Sequence, residues 1–268
     1  MPPPPSLKSA FPFRLGTSSY ILPAEIVPNV EFLAPLVDDV ELVLFESDEI
    51  SNLPDAATVA RLAELAAAHD LTYTIHFPLD TDLASPDETI RERSVAKCRR
   101  IAETVAPLAP FAYLLHLPTP PDGPPAARRP WQDRLEPSLE ALLAAGLEPR
   151  RLCAETLAYP FAYAVPLVER YDLSICLDIG HLLLGGYSLP EHLTAYLPRC
   201  RVVHLHGLLA GADHRDLTGL HPADLEAVLH AAAGAGAADR VVTLEVFSQP
   251  DFEKSLEVLR PYAEGRLP

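Results

Sequence analysis

The sequence lacks the usual marks of a secreted or membrane-bound protein. It has only four cysteines in 268 residues, with no CxxC pair among them. No run approaches the ~18 apolar residues of a membrane span, and the N-terminus lacks the basic start and apolar stretch of a signal peptide. We therefore expect a cytoplasmic protein with reduced thiols and no membrane partner.

Positive charge is also scarce, since 21 Lys and Arg stand against 37 Asp and Glu, for a net charge of −16. Such a field repels a polyanion unless the basic residues gather on one face. The densest basic run comprises Arg91, Arg93, Lys97, Arg99 and Arg100. Helical spacing would spread these side chains around an outer helix, so we predict no nucleic-acid partner.

Signatures of a nucleotide cofactor are missing as well, because neither GxGxxG nor GxxxxGK occurs. The chain is 49% hydrophobic and 22% charged, which is ample for a core and unlike a disordered chain. Its length is close to the roughly 250 residues of one eight-stranded α/β barrel. A single folded domain is the expectation.

Short β-rich runs alternate with amphipathic helical stretches along the whole chain, which is typical of βα units around a parallel sheet. Capping signals stand where three helices are expected to begin: Asp55, the run Ser85-Pro86-Asp87, and Asp251. Eight runs are predicted as strands, the number that closes a (β/α)8 TIM barrel: Arg14–Tyr20, Val40–Glu46, Thr72–Phe77, Phe111–Leu117, Leu152–Leu157, Ser174–Ile179, Arg201–His206 and Val241–Phe247.

The predicted domain covers residues 13–268 and follows a proline-rich tail at 1–12. Two of the loops that follow strands are long, at 118–131 and 207–222. Loops in this position build the active site of such barrels, so we expect these two to wall in a substrate. A proline-rich cover over a hydrophobic edge is the alternative for the first.

Residues with ligand chemistry stand at the ends of six predicted strands, where they interrupt apolar runs. An unpaired charge would be costly to bury there. Parallel barrel strands converge at one end, so these side chains should meet in one pocket, and imidazole with carboxylate suits Zn, Mn, Fe or Co. The predicted ligands of divalent transition metal ions are His76, His116, Glu155, Asp178, His181, His204 and Glu245.

Further candidates have two interpretations each. His206 is a ligand, a contact outside the first coordination sphere or a substrate contact. His214 and Asp213 are ligands or members of a solvated loop. Glu46 lies at the same rim, although its acidic neighbours make a surface role equally reasonable. Residues 18–20, Ser-Ser-Tyr, end the first strand and could contact a substrate or phosphate.

The order His, His, Glu, Asp-x-x-His, His, Glu on strands three to eight resembles the xylose-isomerase-like barrels, from Arg14 to Tyr262. That group includes sugar epimerases and apurinic endonuclease IV-type phosphodiesterases. The endonuclease-like pattern implies one ion on His76, His116 and Glu155, with Glu155 bridging to a second ion. The second ion would also use Asp178, His204 and Glu245, and a third would use His181 with an Asp-x-His pair. Here the loop reads Asp213-His214-Arg215-Asp216, so the aspartate stays open.

Residues 15–47 resemble the start of the cobamide-remodelling phosphodiesterases, which implies hydrolysis of the nucleotide-loop phosphodiester of a corrinoid. The alternative enzyme is a sugar isomerase or epimerase with one divalent ion, in which Glu155 and Glu245 act as acid and base. The third hypothesis is a corrinoid- or metal-binding protein without activity. A rim of ligands that would leave metal positions open argues against it.

Overall fold

The structure is a computed structural model that describes residues 4–47, 50–120 and 125–266, with side chains assigned outside 125–127 and 266. Its main sheet is a closed barrel of eight parallel strands, in the spatial order β1-β10-β7-β6-β5-β4-β3-β2. These strands are β1 Arg14–Ser18, β2 Asp39–Val43, β3 Thr72–His76, β4 Ala112–Leu115, β5 Leu152–Glu155, β6 Ser174–Asp178, β7 Cys200–Leu205 and β10 Val241–Leu244. The predicted (β/α)8 barrel is confirmed.

Helices follow the barrel strands and form the outer layer. Their apolar faces pack on the outward-facing strand residues in one continuous core. The α-helices of the described residues are α1 Ile26–Leu33, α2 Ala56–His69, α3 Glu88–Val105, α4 Pro125–Ala144, α5 Val165–Arg170, α6 Ile179–Leu184, α7 Leu189–Tyr196, α8 Pro222–Ala232 and α9 Gln249–Pro261.

Two of the three predicted helix caps are confirmed, and the third is displaced. The Asp55 side chain accepts from the Thr58 amide, and the Asp87 side chain accepts from the Thr89 amide. The prediction for α9 was wrong, because Ser248 is its N-cap and accepts from the Asp251 amide. A hydroxyl can cap a helix as well as a carboxylate, so the cap fell three residues earlier.

The two long loops contain secondary structure of their own. Residues 125–131 already belong to α4, while residues 121–124 of the predicted loop lie outside the described residues. The loop after β7 forms an antiparallel hairpin of β8 Gly207–Leu209 and β9 Ala212–Arg215. Its two turn residues, Ala210 and Gly211, both have positive φ, of 52° and 81°, as a tight type I′ hairpin requires.

The segment before β1 packs against the residues that lead into β2, at the amino end of the barrel. Within the segment predicted as a tail, Leu7 and Phe11 are buried in the core, and the Leu7 amide donates to the Leu36 carbonyl. The four cysteines are free and buried. Among the described residues, no helix combines the length and apolarity needed to cross a membrane.

Candidate metal centre

The carboxyl ends of β3, β4 and β5 bring together the first ligand group, His76, His116 and Glu155. His76 Nε2 lies 3.5 Å and His116 Nε2 3.0 Å from Glu155 Oε2. His76 Nδ1 lies 2.7 Å from the Phe77 carbonyl oxygen, to which only a protonated nitrogen can donate. Once the ring gives up its second proton to bind a metal, this contact leaves Nε2 as the electron-pair donor that faces Glu155.

The second ligand group lies across β5, β6, β7 and β10 and shares Glu155 with the first. His204 Nδ1 lies 3.5 Å from Glu155 Oε1, 3.6 Å from Asp178 Oδ2 and 3.1 Å from Glu245 Oε2. One ligand atom from each of these four residues lies within 4.8 Å of the others, and the same holds for the first group. Both predicted sets are therefore assembled, with Glu155 between them.

Glu41 on β2 belongs to this centre and was not among the predicted residues. It is fully buried, and its Oε2 lies 2.9 Å from His204 Nε2. A carboxylate in this position fixes the ring of a ligating histidine and raises its basicity. The signal was available in the sequence, because Glu41 interrupts the apolar run VELVLF two residues after Asp39 and so faces the barrel interior.

The third group lies between α6 and the β8–β9 hairpin. His181 Nδ1 is 3.3 Å from Asp178 Oδ2, and its Nε2 is 3.9 Å from Asp213 Oδ2. His214 Nδ1 is 3.1 Å from Asp213 Oδ1, while its Nε2 is 3.3 Å from Glu245 Oε2. The structure thus places Asp213 beside both histidines.

Asp216, the other aspartate of the Asp-His-Arg-Asp run, has a different role. Its side chain accepts from the Thr218 amide and caps the short 3-10 helix Leu217–Gly219. His214 has a backbone φ of 52°, in the left-handed region that non-glycine residues rarely adopt. Such strain at a residue of a ligand cluster is typical of a functional position.

His206 lies beside this third group. Ligand atoms of His181, His206 and His214 lie within 4.8 Å of one another. The His206 ring is fully buried and stacks on the ring of His214, with centroids 4.3 Å apart and an interplanar angle of 13°.

Mutual pairing controls protonation across the centre. Burial by itself would raise the pKa of Glu155, but His116 and His204 hold it well below its usual range. Burial would likewise raise the pKa of Glu245, which His204 and His214 lower. Burial opposes protonation of His76 and His214, yet the facing carboxylates raise both pKa values to about 9.

Many polar atoms of the centre are buried without a hydrogen bond. Among the described residues they include both oxygens of Glu155, Asp178 Oδ2, Glu245 Oε2 and ring nitrogens of His116, His181, His204 and His206. Orphaned lone pairs that converge in this way are costly unless a cation meets them. The mixed imidazole and carboxylate set fits a divalent transition metal.

The remaining candidates lie outside these groups. Glu46 pairs with Arg100 of α3 and accepts from the Ser51 hydroxyl, which is the surface role that the sequence left open. The Ser18 hydroxyl donates to the Val246 carbonyl, the Ser19 hydroxyl accepts from the Val43 amide, and the Tyr20 hydroxyl accepts from the Asn52 amide group. These contacts tie together the loops around the rim.

A parallel barrel with clustered histidines and carboxylates at the carboxyl ends of its strands defines the class of the protein. The profile of the xylose isomerase-like TIM barrel family matches residues 37–262, and the chain belongs to that family. Its members are enzymes, and they use divalent metals. No curated protein sequence matches the chain.

Solved structures from two branches of the family superpose over nearly the whole barrel. Endonuclease IV from Thermus thermophilus has a TM-score of 0.72 and 25% identity, over 94% of this chain and 99% of that one. A D-tagatose 3-epimerase-like protein has a TM-score of 0.73 and 20% identity, over 94% and 97%. A D-psicose 3-epimerase has a TM-score of 0.69 and 18% identity, over 95% and 99%.

Proposed function

We propose that this protein is a metal-dependent phosphodiesterase with more than one divalent ion, and that it cleaves the nucleotide-loop phosphodiester of a cobamide. The observation that carries the hydrolase assignment is the first ligand group, because its His76 and His116 face an edge of Glu155 that the second group does not use. One ion of an epimerase would need only Glu155, Asp178, His204 and Glu245.

Divalent ions bound side by side supply Lewis-acid chemistry, since they polarise a phosphoryl oxygen and stabilise charge on the leaving oxygen. The protein contributes the rigid frame. Glu155 lies between the two groups and sets their separation, and Glu41 fixes the ring of His204. Asp213 lies beside His214 on the hairpin, with 3.1 Å between its Oδ1 and Nδ1 of the ring.

Access to the centre is one-sided, which indicates how a substrate enters. His76, His204 and Glu155 are buried, whereas His116, His181 and His214 are 19–24% exposed. A phosphodiester would therefore approach over β4, α6 and the β8–β9 hairpin. The ionised carboxylates of the inner group lie away from that opening, so they repel the incoming anion less than an exposed group would.

The rim around this opening favours a bulky organic substrate. Phe247, which follows β10, is one of the exposed large apolar side chains among the described residues. The ring of Phe247 lies 5.3 Å from that of His214. An exposed aromatic ring beside the site offers a contact for an organic substrate, and the net charge of −16 disfavours DNA.

The corrinoid assignment itself is supported by the resemblance of residues 15–47 to the cobamide-remodelling enzymes. Two buried residues of that segment, Asn29 and Glu41, hold other parts of the structure in place. Asn29 is buried and fixes the loop after β1, where its side chain accepts from the amides of Ile21 and Leu22. Glu41 holds His204.

The decisive experiment combines metal analysis with a product assay. Protein loaded with zinc or manganese should convert adenosylcobalamin to a product without the lower nucleotide base, detected by mass spectrometry. Abasic-site DNA should stay uncut at physiological salt and ketoses should not epimerise. His116→Ala should lose hydrolysis together with one metal ion per chain. Glu245→Ala should likewise lose hydrolysis and one metal ion per chain.

Single-metal sugar epimerisation is the second candidate, since the four-residue second group is complete. Normal turnover by His116→Ala with complete loss in Glu245→Ala would favour it. Ketose turnover together with intact cobamide would overturn the phosphodiesterase assignment.

A further inference from the structure

His206 lies where the third ligand group meets the second, and two interpretations of it compete. Its Nε2 is a buried nitrogen without a hydrogen bond, so it could be a third imidazole ligand beside His181 and His214. It could instead hold its neighbours in place. The contacts of the ring decide between them.

The first contact fixes the tautomer. His206 Nδ1 accepts from the backbone amide of His214, with 3.0 Å between the two nitrogens. A backbone N–H can only donate, so Nδ1 must be unprotonated, and the neutral ring carries its proton on Nε2. That nitrogen lies 3.3 Å from Asp178 Oδ1. A metal ion at Nε2 would require the ring to lose both protons.

The second contact fixes the place of the ring. A Cβ atom on Gly180 would overlap Cε1, Nδ1 and Nε2 of His206, so the imidazole occupies the space that any other residue at 180 would fill. The opposite face of the ring stacks on His214 at 4.3 Å. Two stacked imidazoles direct their nitrogens side by side, whereas the ligands of a tetrahedral ion approach from different directions.

We propose that His206 is a positioning residue and not a metal ligand. It joins the β8–β9 hairpin to Asp178, and so holds His214 and Asp213 against His181. Its fixed tautomer makes this connection, because Nδ1 accepts from the His214 amide of the hairpin. Nε2 faces the carboxylate of Asp178, which is the N-cap of α6. A third ion would then be held by His181, His214 and Asp213.

The inference rests on the metal binding proposed above but not on the reaction catalysed. Its first test is nitrogen-15 NMR of the histidine rings in metal-free and zinc-loaded protein. We expect His206 to have an unprotonated Nδ1 and a protonated Nε2 in both states. Loss of the Nε2 proton upon zinc loading would overturn the proposal, whatever the substrate proves to be.

The second test compares two substitutions of His206 whose side-chain amide groups lie at different distances from the backbone. In His206→Asn, the side-chain oxygen can take the place of Nδ1 and accept from the His214 amide, whereas in His206→Gln the polar group extends towards Asp178. We expect the Asn variant to keep the zinc content and the slow amide exchange of His214. In the Gln variant, hydrogen exchange at the His214 amide should be at least about tenfold faster. The ion held by His181, His214 and Asp213 should bind about 10–100-fold more weakly.

Gly180→Ala supplies an independent check, because it displaces the ring while keeping the histidine. It should accelerate exchange at the His214 amide as His206→Gln does. If His206→Asn loses one zinc ion per chain, or if Asn and Gln behave alike, His206 is a ligand or a space-filling residue and the proposal fails.

Discussion

Two buried carboxylates inside the same barrel have pKa values that are shifted in opposite directions. Glu155 ends β5 at the carboxyl end, among histidines that hold its pKa well below the usual range. Asp39 begins β2 at the other end, where burial raises its pKa to about 7 and the Thr72 hydroxyl is its close partner. A buried carboxylate stays ionised only where counter-charges converge.

The groups that act on Asp39 are two hydroxyls, those of Thr72 and Thr74, and the charges of Glu41 and Arg14. Inside the barrel, a separate buried cluster is formed by Ala112, Leu114, Cys153, Cys176 and Val202. The groups of described residues that could hold a metal ion gather towards the carboxyl end of the barrel, and this position distinguishes the functional end from the end where Asp39 lies.

Replacing the central carboxylate should have the largest effect. Glu155→Gln removes the charge that faces His76, His116 and His204, so both inner ligand groups should lose affinity together. We expect metal content and turnover to fall by much more than the ~100-fold typical of an outer partner. Elemental analysis and a hydrolysis assay measure both, with Glu46→Gln as a matched control outside the centre. Two retained ions per chain would contradict the bridging role.

Metal binding should depend steeply on pH, because the metal must displace protons. The pKa values of His76 and His214 are raised to about 9, so both rings are protonated at neutral pH in the metal-free protein. Affinity should increase with pH up to about 9, by about tenfold per unit for each proton released. Calorimetry in two buffers of different ionisation enthalpy counts these protons, and zero release at pH 7 would refute the pairing.

The same shift makes a prediction for the metal-free fold. A folded-state pKa of about 9 lies above the 6.5 of an ordinary histidine, so the paired protons stabilise the fold fully below about pH 6.5. That contribution is lost as the pH rises through 9. Chelator-treated protein should therefore melt lower at pH 9.5 than at pH 6.5, and metal-loaded protein should show a smaller difference.

An intermediate effect is expected at Glu41. Glu41→Gln preserves shape but weakens the charge that orients His204, so metal affinity should fall about 10–100-fold while the fold persists. Competition with a chromophoric chelator measures the affinity, and circular dichroism checks the fold. An unchanged affinity would mean that His204 is oriented by its other neighbours.

The smallest effect is expected at the opposite end. Because the pKa of Asp39 is raised from 3.8 to about 7, its ionised form costs stability above pH 7 and not below pH 4. Asp39→Asn should raise the unfolding free energy at pH 8 by on the order of 1–3 kcal/mol, with no gain near pH 4. Urea unfolding measures it, and metal content should not change. A loss of stability at pH 8 would show that the charge is compensated.

Barrel topology could be predicted from the sequence because every strand alternates with a helix and carries its own apolar run. The ends of the strands were less accessible. The run at 241–247 was predicted as strand throughout, yet β10 stops at Leu244, where Glu245 turns into the centre and Phe247 lies exposed on the rim. A ligand at a strand end directs its side chain into the site, and a propensity pattern does not distinguish this position from the rest of the strand.

The site was predictable to the extent that its ligands interrupt apolar strands. Glu41 was missed because it lies in mid-strand, and a rule based on strand ends passes over it. The choice between Asp213 and Asp216 needed the hairpin, since only the turn at Ala210 and Gly211 determines which aspartate faces inward.

At His214 the left-handed backbone conformation is unfavourable for stability, whereas the imidazole is needed at the site. A residue with a Cβ is disfavoured at a φ of 52°, whereas glycine adopts this conformation freely. The His214→Gly protein should therefore have a relaxed backbone at this point while lacking the imidazole that faces Glu245. Selection for robustness alone would remove the histidine, so its retention in natural variants would report selection for catalysis.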